Sequence, residues 1–253
     1  MLEAKNITKH FTHSGKKLCV LDDVCFFLND GEFCSLVGES GSGKSTLAQV
    51  LCGLIPADSG AVELNGEKIT PKSRQKNNRI CSEIQLVLQN AKSAVDPCFT
   101  VYDCIAEPIR NLTDYSRAEE KKRIAELIEL MELPLEMLNR KAYQLSGGQQ
   151  KRICIARALA ANPRIIVFDE AVSGLDVIVR KNILDLLIKL QKETKMSFLF
   201  ITHDMDVALY TSQRIAVMRG GKILEQVHYS GDCGVFSNSY SKQLLKSAMI
   251  NEE

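Results

Sequence analysis

Nothing in this sequence is apolar over the ~18 consecutive positions that a membrane-spanning helix requires, and the amino terminus, MLEAKNITKHF, lacks the apolar core of a secretion signal. The chain is therefore expected to be soluble and cytosolic. Charge of one sign is also missing: 32 basic residues stand against 31 acidic ones, a net +1. No overall field draws such a chain to nucleic acid or to anionic lipid, so no nucleic-acid partner is expected and partners must be recognised locally. The nine cysteines (19, 25, 34, 52, 81, 98, 104, 154 and 233) are odd in number and form no CxxC pair. Most lie in apolar runs such as DDVCFFL and KRICIARAL, which predicts reduced core thiols rather than a disulfide framework or a metal site. Internal repeats and low-complexity linkers are absent as well.

What is present is an ordinary globular composition, 45% hydrophobic and 25% charged over 253 residues, enough for one large domain or two small ones. Short polar and apolar runs fill the first 35 or so residues, broken by Ser14-Gly15 and Asp30-Gly31, and they predict short antiparallel strands. FCSLVG then reads as a buried strand, GESGSG as a loop, and KSTLAQVLCGL as a helix stopped near Gly53. Strand and turn signals return over 57–88, and a helical region follows from about residue 100. Its clearest element is SRAEEKKRIAELIELMEL: Ser116 and Glu119 form a capping box, apolar residues recur at Ile124, Leu127, Ile128 and Met131, and Pro134 ends the pattern. IIVF at 165–168 and FLFI at 198–201 are short, unalternating runs, as strands covered on both faces would be, with helix-like ILDLLIKLQKE between them. The last 25 residues, from about His228, read as an appendage.

Gly38, Gly43, Lys44 and Ser45 fit GxxxxGK[ST], in which glycines let backbone N–H groups close around phosphates, lysine neutralises β/γ oxygens and the hydroxyl ligates Mg²⁺. Such a loop needs a second magnesium anchor, and Asp169, at the end of RIIVFDE, is the candidate. Glu170 follows directly, where a carboxylate could polarise water for attack on the γ-phosphate. His203, after FLFIT, is a candidate γ-phosphate contact. A second glycine-rich helix start, SGGQ at 146–149, offers another anion site for the opposite side of a γ-phosphate.

Together these stretches resemble the nucleotide-binding subunits of ATP-binding cassette transporters. LSGGQ at Leu145–Gln149 matches the family signature, GESGSGKST its Walker A stretch, IIVFDE its Walker B, SGLD at Ser173–Asp176 its D-loop, His203 its switch histidine, and Gln89 in QLVLQN its Q-loop. The resemblance runs from Leu2 to about Leu245. It implies an α/β fold, a P-loop NTPase (RecA-like) core with an antiparallel β subdomain and an inserted α-helical subdomain. The ATPase domain would span 1–231, with the helical part at about 90–160, and a short helical tail would occupy 232–253. It implies ATP and Mg²⁺ as cofactors, with Gly38, Ser40, Gly41, Ser42, Gly43, Lys44, Ser45 and Thr46 around the phosphates and Phe11 stacked on adenine. Ser146, Gly147, Gly148 and Gln149 would close on the nucleotide of a second cassette in a head-to-tail dimer, and Asp176 of the D-loop would also belong to the nucleotide-binding set. Glu170, His203 and Gln89 would serve catalysis, and Ser45, Gln89 and Asp169 the metal.

Within the family, QNAKSAVDP, VYDCIAEPIRNL, DEAVSGLD, FITHDM and SYSKQLL are similar to the dipeptide, oligopeptide and nickel importer group, leaning to the nickel or metallophore branch. That implies two membrane-spanning permease subunits, an extracytoplasmic substrate-binding protein acting indirectly, and a place on the cytoplasmic face of the membrane. Longer members of the group carry a carboxy-terminal cysteine cluster tied to an iron–sulfur centre; only Cys233 lies in this tail, so no cluster is expected. Two other readings share the motifs: a soluble cassette ATPase of the iron–sulfur assembly type, and a lipoprotein-release ATPase.

Overall fold

The computed structural model describes residues 1–13, 15–72, 78–90 and 94–250, without the side chains of 13, 249 and 250. Ser14 of the expected Ser14-Gly15 turn, three residues of QNAKSAVDP (91–93) and the end of the tail (251–253) lie outside the described residues. Two compact units divide the chain, Met1–Lys76 with Thr194–Glu253, and Asn77–Glu193.

In the first unit, an antiparallel sheet runs in the order Lys16–Leu28, Leu2–His13, Ser59–Leu64, Glu67–Ile69. Its first two strands are 13 and 12 residues long, longer than the short runs expected. The register shifts between Ala4 and Ile7, where Asn6 takes φ 51° and its amide donates to the Asp23 carboxylate at 2.9 Å. A bulge of this kind breaks the two-residue alternation without ending the strand, so the sequence reads as interrupted.

A second sheet has Phe33–Val37 at its centre, parallel to Ser197–Thr202 on one side and to Arg214–Arg219 on the other. Lys222–His228 completes an antiparallel hairpin with Arg214–Arg219. Every residue of Phe33–Val37 and of Ser197–Thr202 is buried, as their unalternating composition predicts. The helix Lys44–Leu51 buries Leu47, Ala48, Val50 and Leu51. It stops where expected: Gly53, at φ 66°, donates to the Val50 carbonyl and Leu54 to that of Gln49, a Schellman closure.

The tail departs from the expected appendage. Phe236, Tyr240, Leu245 and Ala248 share a buried cluster with Val37, Met205, Ala208, Ile215 and Val217. Glu225, on an edge strand, clamps the start of the helix Ser239–Ile250, accepting from the Ser237 N–H and hydroxyl (both 3.0 Å) and from the Asn238 N–H (3.2 Å). The sequence hides this because the four apolar residues are few and unevenly spaced, and their partners lie on distant strands.

In the second unit, Ile84–Val87 and Ile165–Asp169 pair in parallel, and helices Val101–Leu112, Arg117–Leu130, Gly147–Leu159 and Val177–Thr194 account for most of the remainder. Arg117–Leu130 carries the predicted capping box between Ser116 and Glu119, and Ile124, Leu127, Ile128 and Met131 are buried. Glu120 joins this helix to its neighbour: its nearly buried carboxylate accepts from Tyr102 Oη at 2.8 Å and from Arg110 Nε at 2.9 Å. The Arg110 guanidinium holds that carboxyl below the usual glutamate range. Among the described residues no helix is long and apolar enough to cross a membrane.

None of the nine cysteines is in a disulfide, but the core placement holds only in part: Cys34, Cys52, Cys104 and Cys154 are buried, whereas Cys19, Cys25 and Cys98 are exposed. On the strand Lys16–Leu28 the alternation turns Cys25 outward between the buried Val24 and Phe26, whereas Cys19 lies in the first four residues of the strand, all of them exposed. Burial pushes the Cys104 and Cys154 thiols up to about 11 and raises Cys34 further. Iodoacetamide at pH 8 should therefore label Cys19, Cys25 and Cys98 in the native protein and reach Cys34, Cys104 and Cys154 only after denaturation. Mass spectrometry of the labelled peptides is the check, and native labelling of the buried three would contradict the packing described.

Candidate active site

The loop after Phe33–Val37 turns back on itself, and two glycines make that possible. A Cβ on Gly38 would lie 2.1 Å from the Met218 carbonyl oxygen, and one on Gly43, at φ 106°, would lie 2.7 Å from that of Val20. Only glycine fits either place. Gly43 is also the N-cap of Lys44–Leu51, so no capping side chain covers the first turn, and no acidic residue occupies it. Helix-start N–H groups and their partial positive charge are thus presented at the loop. Lys44 is 5% exposed, and its ammonium donates to the Gly38 carbonyl at 2.7 Å and to that of Glu39 at 2.8 Å. A cation held inside a ring of backbone groups, with the Ser45 hydroxyl beside it in sequence, suits the polyphosphate of a nucleotide and a hard cation on its oxygens. Gly41 (φ 79°), Ser42 and the exposed Ser40 and Ser45 complete the loop, and Thr46 is half-buried.

Two other residues of the first unit were expected at a nucleotide. Phe11 is 43% exposed on the antiparallel sheet, so its ring is not core and offers a face for stacking. His203 follows the fully buried strand Ser197–Thr202 and is itself exposed, with its Nε2 3.5 Å from the Asp204 carboxylate.

In the second unit, Asp169 is the last residue of the buried strand Ile165–Asp169 and is 6% exposed. Glu170 then leaves the strand in the left-handed region, φ 48°, a conformation that costs a non-glycine residue on the order of 1 kcal/mol and is kept where geometry matters more than stability. The turn is held by the Ser173 N–H and hydroxyl, which both donate to the Glu170 carbonyl, at 3.1 and 2.9 Å. It brings the Glu170 carboxylate to 2.7 Å from Gln89 Nε2, joining residues 81 positions apart in sequence. A carboxylate oriented by an amide donor can accept a proton from water.

The second glycine-rich start, Ser146–Gln149, forms a capping box on the helix Gly147–Leu159: Ser146 Oγ accepts from the Gln149 N–H at 3.3 Å, and Gln149 Oε1 from the Ser146 N–H at 3.0 Å. Among the described residues a Cβ on Gly147 would meet nothing within 4 Å, and one on Gly148 would meet Val179 at 3.4 Å and Leu175 at 4.0 Å, both ordinary contacts. Nothing among the described residues requires glycine at 147. Asp176 has a local role, its carboxylate accepting from the Val179 N–H at 2.9 Å at the start of Val177–Thr194. Lys151 escapes sequence reasoning: its ammonium, its pKa lowered by burial, donates to the Ser173 carbonyl, tying the helix Gly147–Leu159 to the turn after Glu170. No spacing in the sequence signals that contact.

The family described as ABC transporter matches residues 21–173 of the chain. The oligopeptide transport ATP-binding protein OppF of Lactococcus lactis subsp. lactis is 38% identical over 237 residues, 94% of this chain and 74% of that protein. The nickel import ATP-binding protein NikE of Brucella suis biovar 1 is 41% identical over 232 residues, 90% of this chain and 87% of that protein. Among solved structures, a dimeric ATP-binding cassette in a post-hydrolysis state, bound to ADP and Pi, aligns with a TM-score of 0.84 and 31% identity, over 92% of this chain and 100% of that one.

The two kinds of glycine separate in a mutational test. Gly147→Ala should leave the melting temperature unchanged or slightly raised, since alanine favours a helix over glycine by about 1 kcal/mol, and should lower ATP hydrolysis at least about tenfold. Gly38→Ala should disturb the loop itself and lower stability measurably. Full hydrolysis by Gly147→Ala would refute the reading of that position.

Proposed function

The chain belongs to the ABC transporter family as one of its ATP-hydrolysing cassettes, and from that premise we propose that it powers import of nickel, a metallophore or peptide through separate membrane-spanning subunits. The observation that supports the import reading is the similarity to a nickel import ATP-binding protein over 90% of the chain, beside that to an oligopeptide transport ATP-binding protein over 94%. For hydrolysis, the supporting geometry is the strained Glu170 whose carboxylate is oriented by Gln89.

In this reading ATP is the substrate, and the phosphate loop from Gly38 to Thr46 grips its β and γ oxygens, with Lys44 exchanging the Gly38 and Glu39 carbonyls for phosphate. Phe11 stacks on the adenine. Ser45, Asp169 and Gln89 would hold Mg²⁺, which when bound draws charge from the phosphate oxygens. Glu170 accepts a proton from the attacking water as its oxygen bonds to the γ-phosphorus and the bond from that phosphorus to the β–γ bridging oxygen breaks, leaving ADP and inorganic phosphate. His203 contacts the γ-phosphate.

Ser146, Gly147, Gly148 and Gln149 close on the nucleotide of a second cassette, a paralogue or another copy. The open space at Gly147 supports this, as do Val177 and Ile178, apolar yet 70% and 73% exposed just after Asp176. Exposed Tyr143, Phe99 and Leu88 in the Asn77–Glu193 unit support contact with a permease subunit. The protein would then sit peripherally at the cytoplasmic face of the membrane, with a substrate-binding protein outside selecting the cargo.

Affinity purification of the tagged chain from detergent-solubilised native membranes tests this, with two multi-span proteins and a second cassette as the expected companions. Soluble companions alone would instead favour the iron–sulfur assembly type. In the purified assembly Glu170→Gln should cut ATP hydrolysis by at least about a hundredfold while ATP binding is kept; near-normal turnover would remove Glu170 from the role of base.

A further inference from the structure

The helix Ser239–Ile250 reaches the phosphate loop through one side chain. The Glu39 N–H donates to the Tyr240 hydroxyl oxygen at 3.2 Å. That N–H belongs to the same peptide plane as the Gly38 carbonyl, which accepts from Lys44 Nζ at 2.7 Å. One peptide is thus held at both ends, by Lys44 on its carbonyl and by Tyr240 on its N–H. It needs holding, because Gly38 has no Cβ to hinder rotation of the peptide that follows it. When Lys44 turns to phosphate oxygens it releases the Gly38 carbonyl, and the Tyr240 hydroxyl then keeps the plane from turning over.

Tyr240 is built in for such a task. It is 7% exposed, and the Arg219 guanidinium lies 4.5 Å from its ring centroid. Arg219 also pairs with the Glu39 carboxylate at 3.4 Å, so ring and hydroxyl both act on the same loop residue. The helix behind it is seated by Phe236, Leu245 and Ala248 against Met205 and Ala208, on the helix that begins two residues after His203. Glu225 fixes its start through Ser237 and Asn238.

We propose that Tyr240 is a positioning residue for the phosphate loop, setting the orientation of the Gly38–Glu39 peptide, so that the carboxy-terminal segment is part of the nucleotide-binding apparatus. This rests on the nucleotide-site reading given above. Tyr240→Phe in the full chain removes the hydroxyl and leaves the ring beneath Arg219. Mg-ATP affinity is then measured by competition with a fluorescent ATP analogue, together with kcat, KM and the melting temperature without nucleotide. Affinity should fall about threefold to tenfold, the range a single neutral hydrogen bond supplies. KM should rise by a similar factor with kcat within about twofold, as expected when binding shared by ground and transition states is lost. Ser247→Ala, which removes another hydroxyl of the same helix, should bind like wild type. Wild-type affinity and KM in Tyr240→Phe, with or without a lower melting temperature, would overturn the proposal and leave Tyr240 a packing role. Failure of the wild-type chain itself to bind Mg-ATP would overturn the nucleotide-site reading instead.

Discussion

The Lys44 ammonium is nearly buried, and a positive charge withdrawn from water must be met by acceptors or given up. Here the acceptors are the carbonyls of Gly38 and Glu39, which the loop can offer only by folding back tightly over the start of the helix Lys44–Leu51. That fold-back leaves no room for side chains at Gly38 and Gly43, and it is braced by a Gly221 N–H bond to the Ser42 carbonyl and by Tyr240 on the Glu39 N–H. Strand, loop, helix and tail are therefore all organised around one buried cation held on backbone carbonyls.

The Asn77–Glu193 unit meets a complementary constraint with negative charge. Asp169 ends a buried strand, and the next residue is forced into the left-handed region so that its carboxylate meets the Gln89 amide. Glycine would relieve the backbone but bring no carboxylate, so the strain at Glu170 is retained and offset by the two Ser173 donors on its carbonyl. Lys151 adds a tie from the helix of the signature stretch to Ser173, so the turn bearing Glu170 and the helix bearing Gly147 are fixed to each other.

The carboxy-terminal segment changes standing once its contacts are seen. Read along the chain it has few apolar residues and no motif, yet Phe236, Tyr240, Leu245 and Ala248 complete the cluster that also contains Val37, the strand residue immediately before Gly38. The same residues that stabilise the sheet thereby stabilise the loop that leaves it.

By itself the sequence determined what is local. The phosphate loop, the capping box at Ser116, the stop at Gly53 and the fully buried strands are written in contiguous residues, because backbone sterics, helix caps and period act over a few positions. The family signature is likewise a set of short stretches. Tertiary structure alone decided the contacts between residues far apart in the chain: Gln89 with Glu170, Lys151 with Ser173, Glu39 with Tyr240, and the outward turn of Cys25 from apolar surroundings. Such pairings depend on which strands and helices become neighbours and in what register, and a single chain read in order carries no spacing that encodes them.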